Sequence, residues 1–311
     1  MKVLITCPPM LKQIENFRNI FEQKGIEIIT PDVVQVLSED ELIKIVPEVD
    51  GWIIGDDPAT KKVFTEAKKG KLKAAVKWGV GVDNVDFNAC KELDIPISNT
   101  PNMFGGEVAD LAVGYLIGLA RESFFIDREV RKGNWVKPPG ISISGKTIGV
   151  IGLGDIGGQT VKRLTGFNVK ILGYDPFINN LSDELDNIHF SSLDDIFMQS
   201  DFIILTCALT ESSRHLINAK SIEKMKYGVR LINVSRGPLI NENDLIIGLL
   251  SGKVHSAALD VFEVEPLPIN SELRKLDKCI FGTHNGSNTV EAVSRASIKA
   301  IDILFNFLRI N

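Results

Sequence analysis

The chain has 311 residues, of which 44% are hydrophobic and 24% charged, and its formal net charge is −5. That length is more than one hydrophobic core usually serves, so it predicts two domains. The acidic balance excludes the basic surface of a nucleic-acid-binding protein, and it argues against an anionic membrane surface as a partner.

The cysteines and the apolar segments predict a cytoplasmic protein. Cys7, Cys90, Cys207 and Cys279 lie far apart with no C-x-x-C pair, so the sequence predicts neither a disulfide framework nor a metal site. The chain begins with a strand-like segment and lacks the apolar run and cleavage site of a signal peptide. The most apolar later stretch, residues 111–120, is about half as long as a bilayer crossing requires.

Short β-branched apolar runs alternate with amphipathic segments in the first third of the chain. Helices are predicted over Leu11–Gln23 and Thr60–Lys69. The predicted strands are, in chain order, residues 2–6, 26–30, 51–54, 73–77 and 95–98. This alternation is typical of a small doubly wound α/β domain.

A long helix is predicted from Glu107 to Arg131, after the helix-breaking pair Gly105-Gly106. A loop at residues 138–140 then leads into a second α/β series. Its predicted strands are residues 147–151, 169–174, 201–205, 229–234, 256–260 and 279–282. A final helix over 289–309 closes the chain, so the sequence predicts two α/β domains with parallel sheets.

The strand over 147–151 runs directly into a G-x-G-x-x-G sequence that opens a helix. The residues of this turn are Gly152, Gly154, Asp155, Ile156 and Gly157. Glycines there permit a tight turn, the close approach of a pyrophosphate and the packing of the helix on the strand. The next strand ends at Asp175, where a carboxylate can accept hydrogen bonds from ribose hydroxyls. The alternative is a structural turn beside an unrelated aspartate, but the four features in register favour a dinucleotide site.

Three ionisable residues follow the ends of predicted strands: Arg236 after 229–234, Glu265 after 256–260 and His284 after 279–282. Hydride transfer to a keto acid requires a cation for the carboxylate and carbonyl, an acid for the new alkoxide, and a partner that orients the acid. Because carboxyl ends of parallel strands meet at one edge of a sheet, these residues are candidates for that set. Taken singly, they could be a surface ion pair, a turn cap and a packing histidine.

The other histidines are less well placed for catalysis. His255 precedes its predicted strand and so lies at the opposite edge of the sheet. His189 lies within or before a strand, and His215 lies in a connection ahead of a helix. At the end of the strand over 73–77, the glycine-flanked amides of residues 78–84 can form an anion-binding loop, with an ordinary turn as the alternative.

Seven motifs resemble, in order, those of the D-isomer-specific 2-hydroxyacid dehydrogenases, especially their phosphoglycerate-dehydrogenase-like branch. They lie at residues 79–86, 99–101, 145–149 leading into the glycine turn, 174–176, 232–237, 258–262 and 283–286. The similarity covers nearly the whole chain and is densest from about residue 76 to residue 295.

This resemblance implies two doubly wound parallel-sheet domains. A Rossmann NAD-binding domain over 99–286 would be inserted in a flavodoxin-like substrate-binding domain made of 1–98 and 287–311. It implies an oxidoreductase that uses NAD(H) and acts on the CH–OH group of a small D-2-hydroxy acid. It also implies a homodimer formed mainly through the NAD-binding domains.

The resemblance further implies roles for single residues. Arg236 would bind the substrate carboxylate and carbonyl, His284 would act as acid and base, and Glu265 would support the histidine. The implied backbone and cofactor contacts are those of Val80 and Gly81 with the carboxylate, of Val234 with the cofactor, and of Asp260 near the nicotinamide carboxamide.

The segment 55–60 lacks the arginine that phosphoglycerate-specific relatives offer to a phosphate, and it carries Asp56 and Asp57. We therefore expect a small unphosphorylated acid such as glyoxylate or hydroxypyruvate. A phosphate site could still be built from nearby lysines, which are Lys61, Lys62 and Lys77. A D-3-phosphoglycerate dehydrogenase, an NAD(H)-sensing regulatory protein and phosphite oxidation stay open as alternatives. Formate oxidation is disfavoured, because formate enzymes resembling this family have glutamine where Glu265 stands.

Overall fold

The computed structural model describes residues 1–178 and 188–310. It divides into two compact units, one of residues 1–103 together with the chain from Asn288 onward, the other of Phe104–Ser287. The second unit is therefore inserted in the chain of the first. The first domain boundary was predicted after residue 98. The chain leaves the first unit later because its last strand includes Asn99.

The first unit contains a sheet of five parallel strands in the order β2-β1-β3-β4-β5. The strands are β1 Lys2–Ile5, β2 Glu27–Ile29, β3 Gly51–Ile54, β4 Ala74–Lys77 and β5 Ile97–Asn99. This is the flavodoxin-like doubly wound order, as predicted. Every residue of β3 and β4 is buried, as in a parallel sheet covered on both faces.

The helices of the first unit are α1 Pro8–Lys12, α2 Glu15–Glu22, α3 Glu39–Ile45, α4 Lys61–Lys69, α5 Phe87–Glu92 and α12 Val290–Leu308. The single helix predicted over 11–23 is wrong: Pro8 starts a separate short helix, which ends at Gln13, whose backbone leaves the helical region. The side chain of Thr289 caps α12 by accepting a hydrogen bond from the amide of Ala292. Helix α12 packs on β3 and β4, so the last part of the chain completes the core of the first unit.

The second unit contains a sheet of seven parallel strands in the order β12-β11-β10-β9-β6-β7-β8. The strands are β6 Thr147–Ile151, β7 Lys170–Tyr174, β8 Ile188–Phe190, β9 Phe202–Leu205, β10 Val229–Asn233, β11 Val254–Leu259 and β12 Cys279–Phe281. Counted from β6, this is the Rossmann order with one further strand, which confirms the predicted fold class. Strand β8 was not predicted, and β11 begins early enough to include His255 at its amino end.

The helices of the second unit are α6 Gly105–Arg121, α7 Ser123–Arg131, α8 Asp155–Leu164, α9 Leu193–Gln199, α10 Ala219–Lys224 and α11 Glu242–Leu250. The single helix predicted over 107–131 is wrong, because Glu122 adopts a left-handed conformation and separates α6 from α7. The ring of Phe124 then lies against Gly118, where any side chain would overlap it. Among the residues described, no helix is both long and apolar enough to cross a bilayer.

Candidate active site

The glycine turn after β6 has the geometry that its sequence predicts. Gly152 has a φ of 96°, a conformation that favours glycine, and a side chain there would overlap the backbone of Cys207. A side chain on Gly157 would overlap the carbonyl oxygen of Gly152, so this glycine lets α8 pack closely on the strand. Gly154 caps α8 and is exposed, and no atom of another described residue lies within 4 Å of the place that a β-carbon would take.

The amino end of α8 fits the phosphates of a dinucleotide. Asp155 is exposed, Ile156 is half-buried, and the backbone N–H groups of a first helical turn have no partner within the helix. Together with the helix dipole, such N–H groups favour a phosphate. The carboxylate of Asp155 lies against Gly105 at the start of α6. It is therefore not a candidate for the general acid. The turn is thus shaped to hold a pyrophosphate by backbone rather than by side chains.

Asp175 follows β7 and is bound to the same turn. Its Oδ2 accepts a hydrogen bond from the amide of Leu153 at 2.8 Å, and its Oδ1 accepts one from the amide of Phe177 at 2.9 Å. A carboxylate has about four acceptor positions, so two remain for ribose hydroxyls. The two amide bonds fix the carboxylate beside the glycine turn, as a ribose-binding residue requires.

Two residues behind the glycine turn were not foreseen from the sequence. The hydroxyl of Thr206 donates to the carbonyl oxygen of Gly152 at 2.7 Å, and the hydroxyl of Ser235 donates to the carbonyl oxygen of Cys207. The sequence could have indicated both residues, because they follow the ends of β9 and β10, which are neighbours in the sheet.

Arg236 follows β10 in a tightly bonded segment. Its carbonyl oxygen accepts a hydrogen bond from Nδ2 of Asn233 at 2.8 Å, and the Oδ1 of the same asparagine accepts one from the amide of Ser235 at 3.1 Å. Val234 is buried, and its amide lies 3.4 Å from the carbonyl oxygen of Leu205. The guanidinium of Arg236 is half-buried, and its Nη1 donates to the carbonyl oxygen of Ser235 at 2.9 Å. The backbone that carries this cation is therefore fixed.

His284 and Glu265, which the sequence placed after neighbouring strands, are in direct contact. Nδ1 of His284 lies 2.8 Å from Oε2 of Glu265, and both side chains are partly buried. The other oxygen of Glu265 accepts a hydrogen bond from the amide of Phe262 at 2.9 Å. Because Nδ1 faces the carboxylate, Nε2 is the nitrogen left for proton exchange with another group. This is the arrangement of an acid/base histidine held by a carboxylate.

Asp260 lies at the base of the histidine loop. Its side chain is buried, and its oxygens accept hydrogen bonds from the amides of Asn285 at 3.1 Å and Gly286 at 2.9 Å. The backbone carbonyl of Asp260 accepts from the amide of His284 at 2.7 Å, and His284 has a φ of 54°. Asp260 therefore shapes the loop that carries the histidine, while its predicted place near the nicotinamide carboxamide stays a prediction.

Tyr115 on α6 is a further partner of Asp260 that sequence reasoning did not find. Its hydroxyl lies 3.5 Å from Oδ1 of Asp260, and a side chain on Gly282 would overlap both groups. Burial, followed by the adjacent aspartate charge, raises the pKa of the Tyr115 hydroxyl, so the tyrosine is a neutral donor at neutral pH. A helix 145 residues away in the sequence gives no local signal of this contact.

Two of the other histidines, His255 and His189, lie elsewhere in the second unit. His255 lies 3.6 Å from the carboxylate of Glu122 at the amino end of β11, opposite the strand ends of the site. Burial, aided by the charges of Arg230 and Lys278, lowers the pKa of His255 to about 4, so it is neutral at neutral pH. His189 lies exposed in β8.

In the first unit, the loop after β4 is held by hydrogen bonds from β5 and the residue after it. The amide of Gly79 donates to the hydroxyl of Thr100 at 2.8 Å, and Nδ2 of Asn99 donates to the carbonyl oxygen of Val80 at 3.1 Å. Gly79 has a φ of 128°, and Val80 is exposed. Gly81 is half-buried. The loop presents backbone amides in a fixed form, and their binding of a substrate carboxylate stays a prediction.

Comparison with known proteins identifies the family. A family model described as the NAD-binding domain of D-isomer-specific 2-hydroxyacid dehydrogenases matches residues 113–286. The chain is 41% identical over 280 residues to a hydroxypyruvate reductase of Thermotoga maritima, covering 88% of this chain and 90% of that protein. It is 34% identical over 313 residues to a D-3-phosphoglycerate dehydrogenase of Methanocaldococcus jannaschii, covering 99% of this chain but 57% of the relative.

Solved structures agree with this assignment. An NAD-dependent formate dehydrogenase of Staphylococcus aureus in complex with NAD superposes with a TM-score of 0.87 at 27% identity, covering 99% of this chain and 96% of that one. Two parallel-sheet units, the glycine turn and the histidine–glutamate contact fit the same conclusion. The chain belongs to the D-isomer-specific 2-hydroxyacid dehydrogenases and is an NAD-dependent enzyme of that family.

Proposed function

We propose that this enzyme reduces a small unphosphorylated 2-keto acid, with hydroxypyruvate and glyoxylate as the first candidates. The contact between His284 and Glu265 carries the proposal, because it supplies a positioned proton donor at the sheet edge that also carries the dinucleotide turn. A relative of high similarity is a hydroxypyruvate reductase, and two further relatives are glyoxylate reductases.

The residues divide the chemistry between them. NADH, when bound, supplies the hydride. His284, as imidazolium, donates the proton from Nε2 to the carbonyl oxygen of the substrate, while Glu265 stabilises the positive ring through Nδ1. Arg236 binds the carboxylate and polarises the carbonyl with its guanidinium. In the oxidation direction the neutral imidazole takes the hydroxyl proton back. The amides of Val80 and Gly81 are the further candidates for binding the carboxylate.

The lysines that could accept a phosphate are each bound within the first unit. Nζ of Lys77 is buried and bonded to Oδ1 of Asp56 at 2.8 Å and to the carbonyl oxygen of Gly55 at 2.6 Å. Lys61 pairs with Glu92 at 2.5 Å, and Lys62 pairs with Glu39 at 2.9 Å. A phosphate bound at Lys77 would have to break the contacts of a buried ammonium group, and it would lose hydration without full compensation. The pairs of Lys61 and Lys62 are exposed and oppose a phosphate only weakly.

We expect kcat/KM to be higher for hydroxypyruvate and glyoxylate than for 3-phosphohydroxypyruvate. The phosphorylated acid adds up to two negative charges, and the lysines nearest in sequence to the carboxylate loop already have acidic or carbonyl partners. Steady-state oxidation of NADH with the three acids measures this. A higher kcat/KM for the phosphorylated acid that is lost in Lys77→Met would contradict the proposal and favour a phosphoglycerate dehydrogenase. Binding of NADH without turnover of any acid would favour a sensing protein.

We expect a strong preference for NADH over NADPH. Asp175 is held beside the glycine turn by two amide hydrogen bonds, and the next residues, Pro176 and Phe177, offer no cation. A carboxylate accepts hydrogen bonds from ribose hydroxyls but repels a 2′-phosphate. Comparison of kcat/KM for the two cofactors tests this preference. Asp175→Asn should lower the ratio of kcat/KM with NADH to kcat/KM with NADPH. Equal efficiencies in the unchanged enzyme would contradict the assignment of Asp175.

We propose a homodimer formed by the second unit. Large apolar side chains on α6, α7 and the segment after them are exposed, namely Ile117, Phe124, Val130 and Trp135, the last with 81% of its surface accessible. A patch of this kind is typical of an interface with another chain. Sedimentation velocity should give a dimer, and Trp135→Glu should shift it to the monomer. A wild-type protein that sediments as a monomer at micromolar concentration would contradict the proposal.

We also propose that the enzyme acts in the cytoplasm. Its four cysteines are free thiols, and three of them are buried. Burial raises the pKa of the Cys7, Cys90 and Cys279 thiols, so these groups are unreactive packing residues. Unpaired cysteines of this kind are typical of proteins from a reducing compartment.

A further inference from the structure

A second histidine–carboxylate pair lies next to the first along the chain. Nε2 of His215 is 2.7 Å from Oε1 of Glu263, two residues before Glu265. His215 has a φ of 51°, its amide donates to the carbonyl oxygen of Pro238 at 2.8 Å, and its carbonyl oxygen accepts from Nδ2 of Asn218 at 2.7 Å. Hydrogen bonds of its amide and of its carbonyl oxygen thus fix the backbone of His215, whose ring contacts Glu263.

Glu263 is also bonded to the start of α11. Its amide donates to Oε1 of Glu242 at 2.7 Å, and the amide of Glu242 lies 3.4 Å from Oε2 of Glu263. Burial, together with the charges of Glu263 and Glu265, raises the pKa of the Glu242 carboxyl. Three carboxylates therefore face this region, from α11 and from the segment after β11, and the imidazole of His215 is the side chain that reaches Glu263.

The segment that carries Arg236 also contacts the backbone of Phe262 and Glu263. A side chain on Gly237 would overlap the carbonyl group of Phe262 and the amide of Glu263. The amide of Phe262 in turn donates to Oε1 of Glu265, whose Oε2 faces His284. A short path of bonded groups thus runs from His215 through Glu263 and its backbone to Glu265 and the catalytic histidine.

We propose that His215 and Glu263 are positioning residues for the reaction, which hold the segment 262–265 so that Glu265 is aimed at Nδ1 of His284. This rests on the proposed function, in which His284 is the acid and base. Neither residue touches the reacting atoms. Without the contact between these two side chains, the segment keeps its backbone contacts with Gly237 and Glu242 but loses the bond that joins Glu263 to His215.

The test compares Glu263→Ala, His215→Ala and Glu263→Gln, with Glu272→Ala as the control. Glu272 is an exposed carboxylate of the same unit that pairs only with Lys275 at 2.6 Å among its described contacts. Glu263→Ala and His215→Ala should each lower kcat for reduction about tenfold, because misplaced catalytic groups lose rate steeply. The double variant should be no slower than either single one, because both remove the same contact. Glu263→Gln keeps an acceptor for His215 and should stay near the wild-type kcat.

The pH profile separates positioning from a general loss of stability. A Glu265 that is held less well stabilises the His284 imidazolium less, so the alkaline limit of the reduction should move to lower pH in both alanine variants. KM for NADH should not change. An unchanged profile and kcat in both alanine variants would overturn the inference, as would a Glu263→Gln as impaired as Glu263→Ala. If Glu263→Ala cannot be purified, His215→Ala removes the contact from its more exposed side.

A second readout does not depend on turnover. The chain has four histidines, so the titration of His284 in the free protein can be followed by NMR. Its midpoint should fall in Glu263→Ala and stay unchanged in Glu272→Ala. If the wild-type enzyme reduces no 2-keto acid, the proposed function fails while this titration still decides the inference. Equal midpoints in all variants would refute the positioning role alone.

Discussion

Replacing His284 with alanine is expected to lower kcat for 2-keto acid reduction by about 10²–10⁴-fold, the usual contribution of a general acid. The ring is the proposed proton donor, and its Nδ1 is already held by Glu265 at 2.8 Å. NADH should still bind, because the substitution leaves intact the glycine turn and Asp175, the residues proposed to hold the dinucleotide. Pre-steady-state kinetics and NADH fluorescence titration measure the two effects separately.

The substitution Glu265→Gln, at the partner of His284, should change the pH dependence of the reduction more than it changes the position of the histidine ring. Glutamine can keep a hydrogen bond to the ring, but it lacks the negative charge that stabilises the imidazolium. The proton donor is then lost at lower pH, so the alkaline limit of the reduction should move down. His189→Ala, on the exposed strand β8, serves as the control and should leave the profile unchanged. A near-normal kcat in His284→Ala would show that another group donates the proton.

Replacing Arg236 with lysine should raise KM for the keto acid sharply and also lower kcat. A guanidinium can meet a carboxylate with two parallel hydrogen bonds, whereas an ammonium group cannot copy that geometry. The rate falls as well, because the same group polarises the carbonyl that receives the hydride. KM for NADH should be unaffected, which separates this result from a disturbed cofactor site.

Arg18→Lys is the matched control for Arg236→Lys. Arg18 lies on α2 of the first unit, where it forms an exposed ion pair with Glu15 at 2.7 Å. Such pairs contribute little, so the control should behave as wild type. An unchanged KM for the keto acid in Arg236→Lys would remove Arg236 from the substrate site.

The sequence predicts those features of the fold and the site that depend on residues close together in the chain. Alternating apolar runs indicate the two parallel sheets, and the G-x-G-x-x-G sequence indicates the tight turn at Gly152, because such a turn needs a backbone conformation that favours glycine. The positions of Glu265 and His284 after neighbouring strands anticipate their contact, since parallel strands end at one edge of a sheet.

What depends on distant packing was not predictable from the sequence. The break at Glu122 arises where Phe124 folds back on Gly118, and nothing in the helical pattern of residues 107–131 marks it. The contact between Tyr115 and Asp260 joins a helix to a strand end 145 residues later.

The close approach of Gly237 to Phe262 bears on how such an enzyme can acquire a new substrate. Backbone meets backbone there, so neither segment can shift without displacing the other, and with it Arg236 or Glu265. Divergence toward a different 2-keto acid is therefore constrained at this contact, where a shift of either segment moves Arg236 or Glu265. We expect natural and laboratory variants with altered preference to differ instead in side chains of the first unit, beginning with the exposed Val80 of the loop that we propose for the substrate carboxylate.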